Sequence, residues 1–407
     1  MMGWRAWLST TCILLAANVA IAQVREHVEY VEDIDRWRVE VFSGARNPGG
    51  LLQGPRLQAG HDRRGPMAFL PTGEACTAGE GVVFVFTRDG TLRYLAGDPD
   101  QPGYRDGPAA EALLGRELTV AADPRGRLLI ADRSNRCLRR AVKRKGRWFI
   151  ETLAGHPSNP ADRGLLKVVR DESAIQPGIR EERFASDGAG RKATFHYMHS
   201  NVVVDRQGDA YLIDADFLRR VTPDGHVETL NPLGGTGPPV NPSGEPLRSA
   251  RFRLIMRGMI CLDDEESIYV ADRWNHCIRK VDLKKRIVAV AAGPGRGYVD
   301  GPAGKAGFHD SPGHVAYDPY RRRLYANGVD DWGLRTLEKG SMKTIAGGSR
   351  RNQATEGPAR EAGIHWAGVR AVDPRPPNDI YFWSGGRLWQ GRIGRLYRIP
   401  SGKDEQE

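Results

Sequence analysis

Asp272, His276 and Cys277 stand within six residues of one another in VADRWNHCIRKVD (270–282), and all three residue types can bind a metal ion. A near copy, IADRSNRCLRRAV (130–142), tests that reading. Asp132, Asn135 and Cys137 match Asp272, Asn275 and Cys277, but Arg136 stands where His276 does. A position that accepts arginine is not a shared metal ligand. Asp and Asn of this spacing instead suit a tight turn, where their side chains bond nearby backbone N–H groups. Cys137 and Cys277 then read as small buried packing residues in non-adjacent repeats, too far apart to bridge. Ile278 and Val281 are expected to pack between repeats, and Arg139, Arg219, Arg279 and Arg335 to bond across to neighbouring ones.

A second constellation is more promising. His196, His309 and His365 each follow a recurring alanine by three residues, and His61 falls one residue earlier in its own unit. His199 and His314 lie three and five residues beyond His196 and His309. Neutral imidazole is a common ligand group. These six histidines are therefore the candidate ligand-binding set, with His196, His309 and His365 the candidate holders of a divalent metal, zinc or calcium. No nucleophile elbow, phosphate loop or zinc-protease motif is present, so no catalytic residue is assigned.

The elements that would position these residues come from an internal repeat. Strand-like runs end in FSG (42–44), LAG (95–97), LAG (153–155), AAG (291–293) and IAG (345–347). Glycine turns follow: QGP (53–55), DGP (106–108), DGA (187–189), SGE (243–245), DGP (300–302) and EGP (356–358). Then comes an alanine (Ala59, Ala112, Ala193, Ala250, Ala306 or Ala362), often with Phe or Ile two positions on. Short runs such as Leu128–Ile130 and Ile268–Val270, bounded by turn residues, are strands. Four short strands per unit in six units predict an all-β chain, a single β-propeller of six four-stranded blades. RWRVEVFSG (36–44) reads as an outermost strand and GRLYRIP (394–400) as an inner one, so the N-terminal strand is expected to complete the last blade and close the ring.

With these residues assembled, the chain resembles the NHL-repeat family of β-propellers. The resemblance rests on YVADRWNHCIRKVD, LAG, DGP and the alanine–phenylalanine step, and it covers nearly all of residues 36–400. It implies the fold specifically and the activity loosely, because such rings include carbohydrate and protein binders, nucleic-acid binders and amidating lyases. In propeller geometry the DGP loops and the ADRWNH turn are expected on the ligand face. KRKGR (143–147), KKR (284–286) and RRR (321–323) are expected on the opposite face, in hairpins.

Charge and termini complete the reading. Lys and Arg outnumber Asp and Glu by 60 to 50, a formal net charge of +10. Residues 1–22 combine Arg5, a short apolar run and Ala20-Ile21-Ala22, as in a signal peptide cleaved near Ala22. Residues 23–35 form a short lead and 401–407 a polar tail, and no later run is long enough to span a membrane. A secreted or periplasmic monomer is expected, for which positive charge points to acidic polymers rather than DNA. The expected acidic-polymer face comprises Lys143, Arg144, Lys145, Lys284, Lys285, Arg286, Arg321, Arg322 and Arg323. The insertion at 156–186 would lengthen a ligand-face loop. Together these observations predict a binding module for a protein, an acidic glycan or a wall polymer. The alternative is a metal-dependent hydrolase or lyase at the channel mouth.

Overall fold

Each repeat folds into one small antiparallel sheet, and the computed structural model arranges six such sheets as the blades of a propeller. The structure describes residues 29, 37–43, 53–55, 66–157, 185–233, 244–254, 259–309, 311–328, 331–348, 355–364, 368–375, 379–386 and 393–400. Most of the predicted leader, the polar tail and most of the insertion lie outside them. Blade two shows the plan. Strand a (Leu118–Ala122) is innermost, followed by b (Leu128–Asp132), c (Cys137–Arg144) and d (Arg147–Gly155). A fifth, two-residue strand, Gly107–Pro108, pairs outside d. Every blade carries this fifth strand, so the four expected per blade are the principal ones. Blade one, the least regular in sequence, has all of them.

The fifth strand corrects the placement of DGP. Gly107 pairs with Ile150 and Pro108 with Phe149, in the half of strand d nearest its hairpin. DGP therefore lies on the outer rim and not on the face formed by the b–c turns. Closure follows the expected route: Arg38–Ser43 is strand d of blade six, pairing Glu40 with Arg398 and Val41 with Tyr397.

Alternation along strand c builds the core. Ile278 packs with residues of blade five and Val281 with residues of blade three, so successive inward positions face opposite neighbours. The xAG ending also has a steric reason. Gly155 has φ +78°, and a Cβ there would sit 2.6 Å from the Arg136 carbonyl oxygen. Gly97, Gly293 and Gly347 repeat this conformation and crowding, so only glycine fits.

Arg139, Arg219, Arg279 and Arg335 are wholly or almost wholly buried. Each is held within its own blade rather than across to a neighbour. Arg139 donates to Asp106 at 2.6 Å and Asp132 at 3.3 Å, and its guanidinium lies 4.6 Å from the Tyr104 ring centroid. Asp106 is the aspartate of DGP, and it also accepts the Thr152 N–H at 3.1 Å. Arg219 pairs with Asp187 and Asp214, and Arg335 with Asp300 and Asp331. In blade four Glu245, one residue later in register, reaches Arg279 in place of an aspartate. Blade one replaces the whole set with neutral residues: Phe84 stands in register with Arg139, and Gln53 bonds the Tyr94 N–H. At this register position the buried arginine occurs in blades two to five, each time with its carboxylates.

Candidate functional site

The face carrying the b–c turns holds His196, His199, His309 and His314. Asp132, Asp214, Asp272 and Asp331 close strand b or its turn and are fully buried. Each accepts a backbone N–H from the residue three beyond the recurring alanine. The donors are Gly115 at 3.2 Å, His196 at 3.0 Å, Arg253 at 2.9 Å and His309 at 3.0 Å. The alignment of His196 with His309 thus has a backbone cause, and glycine or arginine serves as well. Asn135 and Asn275 donate their side-chain amides to the same aspartates at 2.8 and 2.9 Å, side chain to side chain rather than in the expected bonds to backbone N–H groups.

The side chains divide between two blades. His196 and His199 belong to blade three, where His199 packs against Tyr197 in a tilted contact with ring centroids 4.7 Å apart. The Tyr197 hydroxyl donates to Glu117 of blade two at 3.2 Å. Arg133 of blade two donates to the Ser200 carbonyl at 2.8 Å, and Arg273 of blade four to the Ser311 hydroxyl at 3.1 Å. These arginines, two residues before Asn135 and Asn275, stitch successive blades. Burial, then the Arg133 charge and His196, push the His199 pKa down to about 4. His309 sits edge-on to Trp332 at 4.4 Å, and His314 lies on the innermost strand of blade five. A Cβ on Gly368 would be 2.9 Å from the His314 ring, so this glycine lets strand a of blade six approach it. Among the described residues no three His, Cys, Asp or Glu side chains gather as a metal site. His61 and His365 lie outside the described residues. The four cysteines Cys76, Cys137, Cys261 and Cys277 are buried and unbridged.

On the opposite face the hairpins differ sharply in charge balance. Arg321 pairs with Asp318 at 2.9 Å, Arg322 with Asp264 and Glu265 at 3.1 Å each, and Arg323 with Glu338 at 2.9 Å. The RRR cluster is therefore neutralised in place and is not the open basic patch its sequence suggests. In blade four Lys285 pairs with Asp282 at 3.5 Å, while Lys284 and Arg286 are exposed. Blade two is the exception. Its c and d strands are 8 and 9 residues long, against 4 to 7 in every other blade. Arg144 stands directly opposite Arg147, a like-charge pairing that sheets disfavour. Glu151 holds both Arg140 and Arg144, at 2.6 and 2.5 Å. Lys145 and Arg147 are exposed and make no ion pair among the described residues. Lys143 lies 5.0 Å from the Trp148 ring and Arg144 5.5 Å from the Phe149 ring, so aromatic faces prop the cations outward. Lys145 and Gly146 both take positive φ, +49° and +79°, the tight turn that suits a two-residue hairpin.

Comparison with known proteins supports the architecture. No family model matches the chain, and no curated protein matches it. Among solved structures it is similar to an auxiliary nutrient binding protein from Bacteroides ovatus, at 12% identity and a TM-score of 0.59. A protein of the same description from Bacteroides thetaiotaomicron gives 13% and 0.57. A structural genomics protein of unknown function from the same organism gives 14% and 0.55. Each covers 89% of this chain and 76% of the other. At these identities the likeness is one of fold. Among the described residues no helix is long and apolar enough to cross a membrane.

Proposed function

We propose that this chain is an exported NHL-repeat-type propeller that acts as a binding module for an acidic polysaccharide or wall polymer. The observation that carries this reading is the blade-two hairpin. It presents Lys143, Arg144, Lys145 and Arg147 against one carboxylate, Glu151, which Arg140 already shares. A protein that sets two arginines opposite each other loses some stability there. A polyanion laid along the hairpin removes that repulsion and gains several screened attractions at once. Lys284 and Arg286, on the same face, extend the surface. The three arginines of blade five contribute little, because binding would first have to break their ion pairs.

The fold likeness to auxiliary nutrient binding proteins is in keeping with binding. The leader-like residues 1–22 support secretion or a periplasmic location, and the spread of the repeat over the chain supports one propeller domain. Affinity for polygalacturonate, measured by calorimetry across a salt series, tests the proposal. Lys145→Glu with Arg147→Glu is expected to abolish most of the binding, and Arg322→Gln to leave it nearly unchanged. Wild-type binding should weaken severalfold as salt rises from about 0.05 to 0.3 M. Binding that ignores both salt and the blade-two reversal would overturn it.

A further inference from the structure

We infer that the cleft between blades four and five is a second binding site, built for an uncharged saccharide of one or two rings. The cleft has a volume of about 440 Å³, within the range of small-ligand sites at about 300–1,000 Å³. Two departures from the repeat create it. In strand d, the residue paired with position 280 of strand c is Ala289. The register-equivalent residues are Arg93, Glu151, Glu228, Lys343 and Glu40, all long and charged. Two residues on, Ala291 stands where the other blades carry Leu95, Leu153, Leu230, Ile345 and Phe42. Two positions that carry a long charged and a large apolar side chain in five blades are thus cut back to methyl groups in one, and Ala289 and Ala291 line the cleft.

The lining sets the ligand class. Its floor is aliphatic, with Val290, Leu324 and Leu337 beside the two alanines. Most of its charged groups are already paired. Lys280 pairs with Asp263 at 3.0 Å, Arg322 with Asp264 at 3.1 Å, and the Tyr317 hydroxyl donates to Asp264 at 2.6 Å. An ionic ligand would compete with these pairs, and among the described lining residues only Lys339, which is exposed, is left without an ion pair. A hydroxyl-rich neutral ligand uses what the pairs leave over, the remaining carboxylate lone pairs and ammonium and guanidinium protons. Its C–H faces lie against the aliphatic floor and the Tyr269 and Tyr317 rings. The inference stands apart from the polyanion reading, since the cleft and the blade-two hairpin share no residue.

The test is titration of the protein with cellobiose, maltose, lactose and N,N′-diacetylchitobiose, followed by calorimetry and saturation-transfer NMR. The comparison variant is Ala289→Glu, which restores the type of residue that blade two carries opposite Arg140. Because the repeat already accommodates that side chain, a melting curve like that of the wild type is expected. Ala289→Ser, with the cleft left open, is the second variant. The expected result is saturable binding of at least one disaccharide, weakened about tenfold or more by Ala289→Glu and kept by Ala289→Ser. Binding by none of the four, or equal binding by wild type and Ala289→Glu, would overturn the inference. Lys145→Glu with Arg147→Glu should leave disaccharide binding intact, so failure of one site is distinguishable from failure of the other.

Discussion

Replacing Arg139 by leucine tests the reasoning about the blades most severely. The guanidinium is fully buried and bonds two carboxylates, Asp106 and Asp132, and the backbone carbonyls of Arg105 and Leu113. Leucine fills part of the volume but leaves Asp132, itself fully buried, without its cation. Removing one member of a buried pair costs about 3–5 kcal/mol, because the charge left behind is uncompensated. In a domain of this size such a loss lowers Tm by roughly 4–6 °C. The deficit should also depend on pH. Burial already holds the Asp132 carboxyl above its ordinary value, and loss of Arg139 raises it further. A carboxyl whose folded pKa exceeds its unfolded one weakens folding above the unfolded value, and this penalty fades as pH falls through the folded pKa. Differential scanning calorimetry from pH 7 to pH 5 should therefore show the gap to wild type narrowing with acid. Adding Asp132→Asn to Arg139→Leu should recover part of the loss at pH 7. A deficit under about 1 kcal/mol, or one that does not change with pH, would refute the claim that these arginines are held by their carboxylates.

Other outcomes follow from the same geometry. Gly155→Ala should cost roughly 1–3 kcal/mol, measured by thermal melting, because φ is +78° and a Cβ would meet the Arg136 carbonyl at 2.6 Å. His309→Ala should change stability by little, while His309→Pro, which removes the N–H donated to Asp331, should cost about 1–3 kcal/mol. The His199 pKa is pushed down to about 4, so the unfolded chain takes up the proton first as pH falls. Wild type should accordingly lose up to about 3 kcal/mol relative to His199→Phe between about pH 6.5 and pH 4, a difference calorimetry can read. Deletion of residues 36–44 removes strand d of blade six and should lower the melting temperature of the whole ring, because an open blade edge replaces a paired one.

The fold was legible because each repeat signal has a local steric or hydrogen-bonding cause. Glycine in xAG is demanded by positive φ and a carbonyl within van der Waals reach, and Asp–x–x–Asn by the turn it braces. Even closure could be read, from the strand character of residues 36–44. The fifth outer strand could not, since two residues carry no alternation and DGP looks like an ordinary loop. The site was less legible for two physical reasons. His196 and His309 align because their amides cap buried aspartates, a requirement that says nothing about the ring. RRR at 321–323 and KRKGR at 143–147 look alike in composition. Their difference lies in carboxylates from other strands and the preceding blade, Asp264, Glu265 and Glu338 against Glu151 alone. A signal was nonetheless present: in AAG at 291–293 alanine stands where other units carry leucine, isoleucine or phenylalanine before the last two residues, and it marks the open cleft.

The most direct measurement is hydrogen–deuterium exchange of the intact protein with and without saturating polygalacturonate. Slowed exchange concentrated at residues 143–149, with residues 318–323 and 196–200 unchanged, is the result expected of a module that holds acidic polymer on its blade-two hairpin. Slowed exchange at 318–323 or 196–200, with 143–149 unaffected, would contradict it.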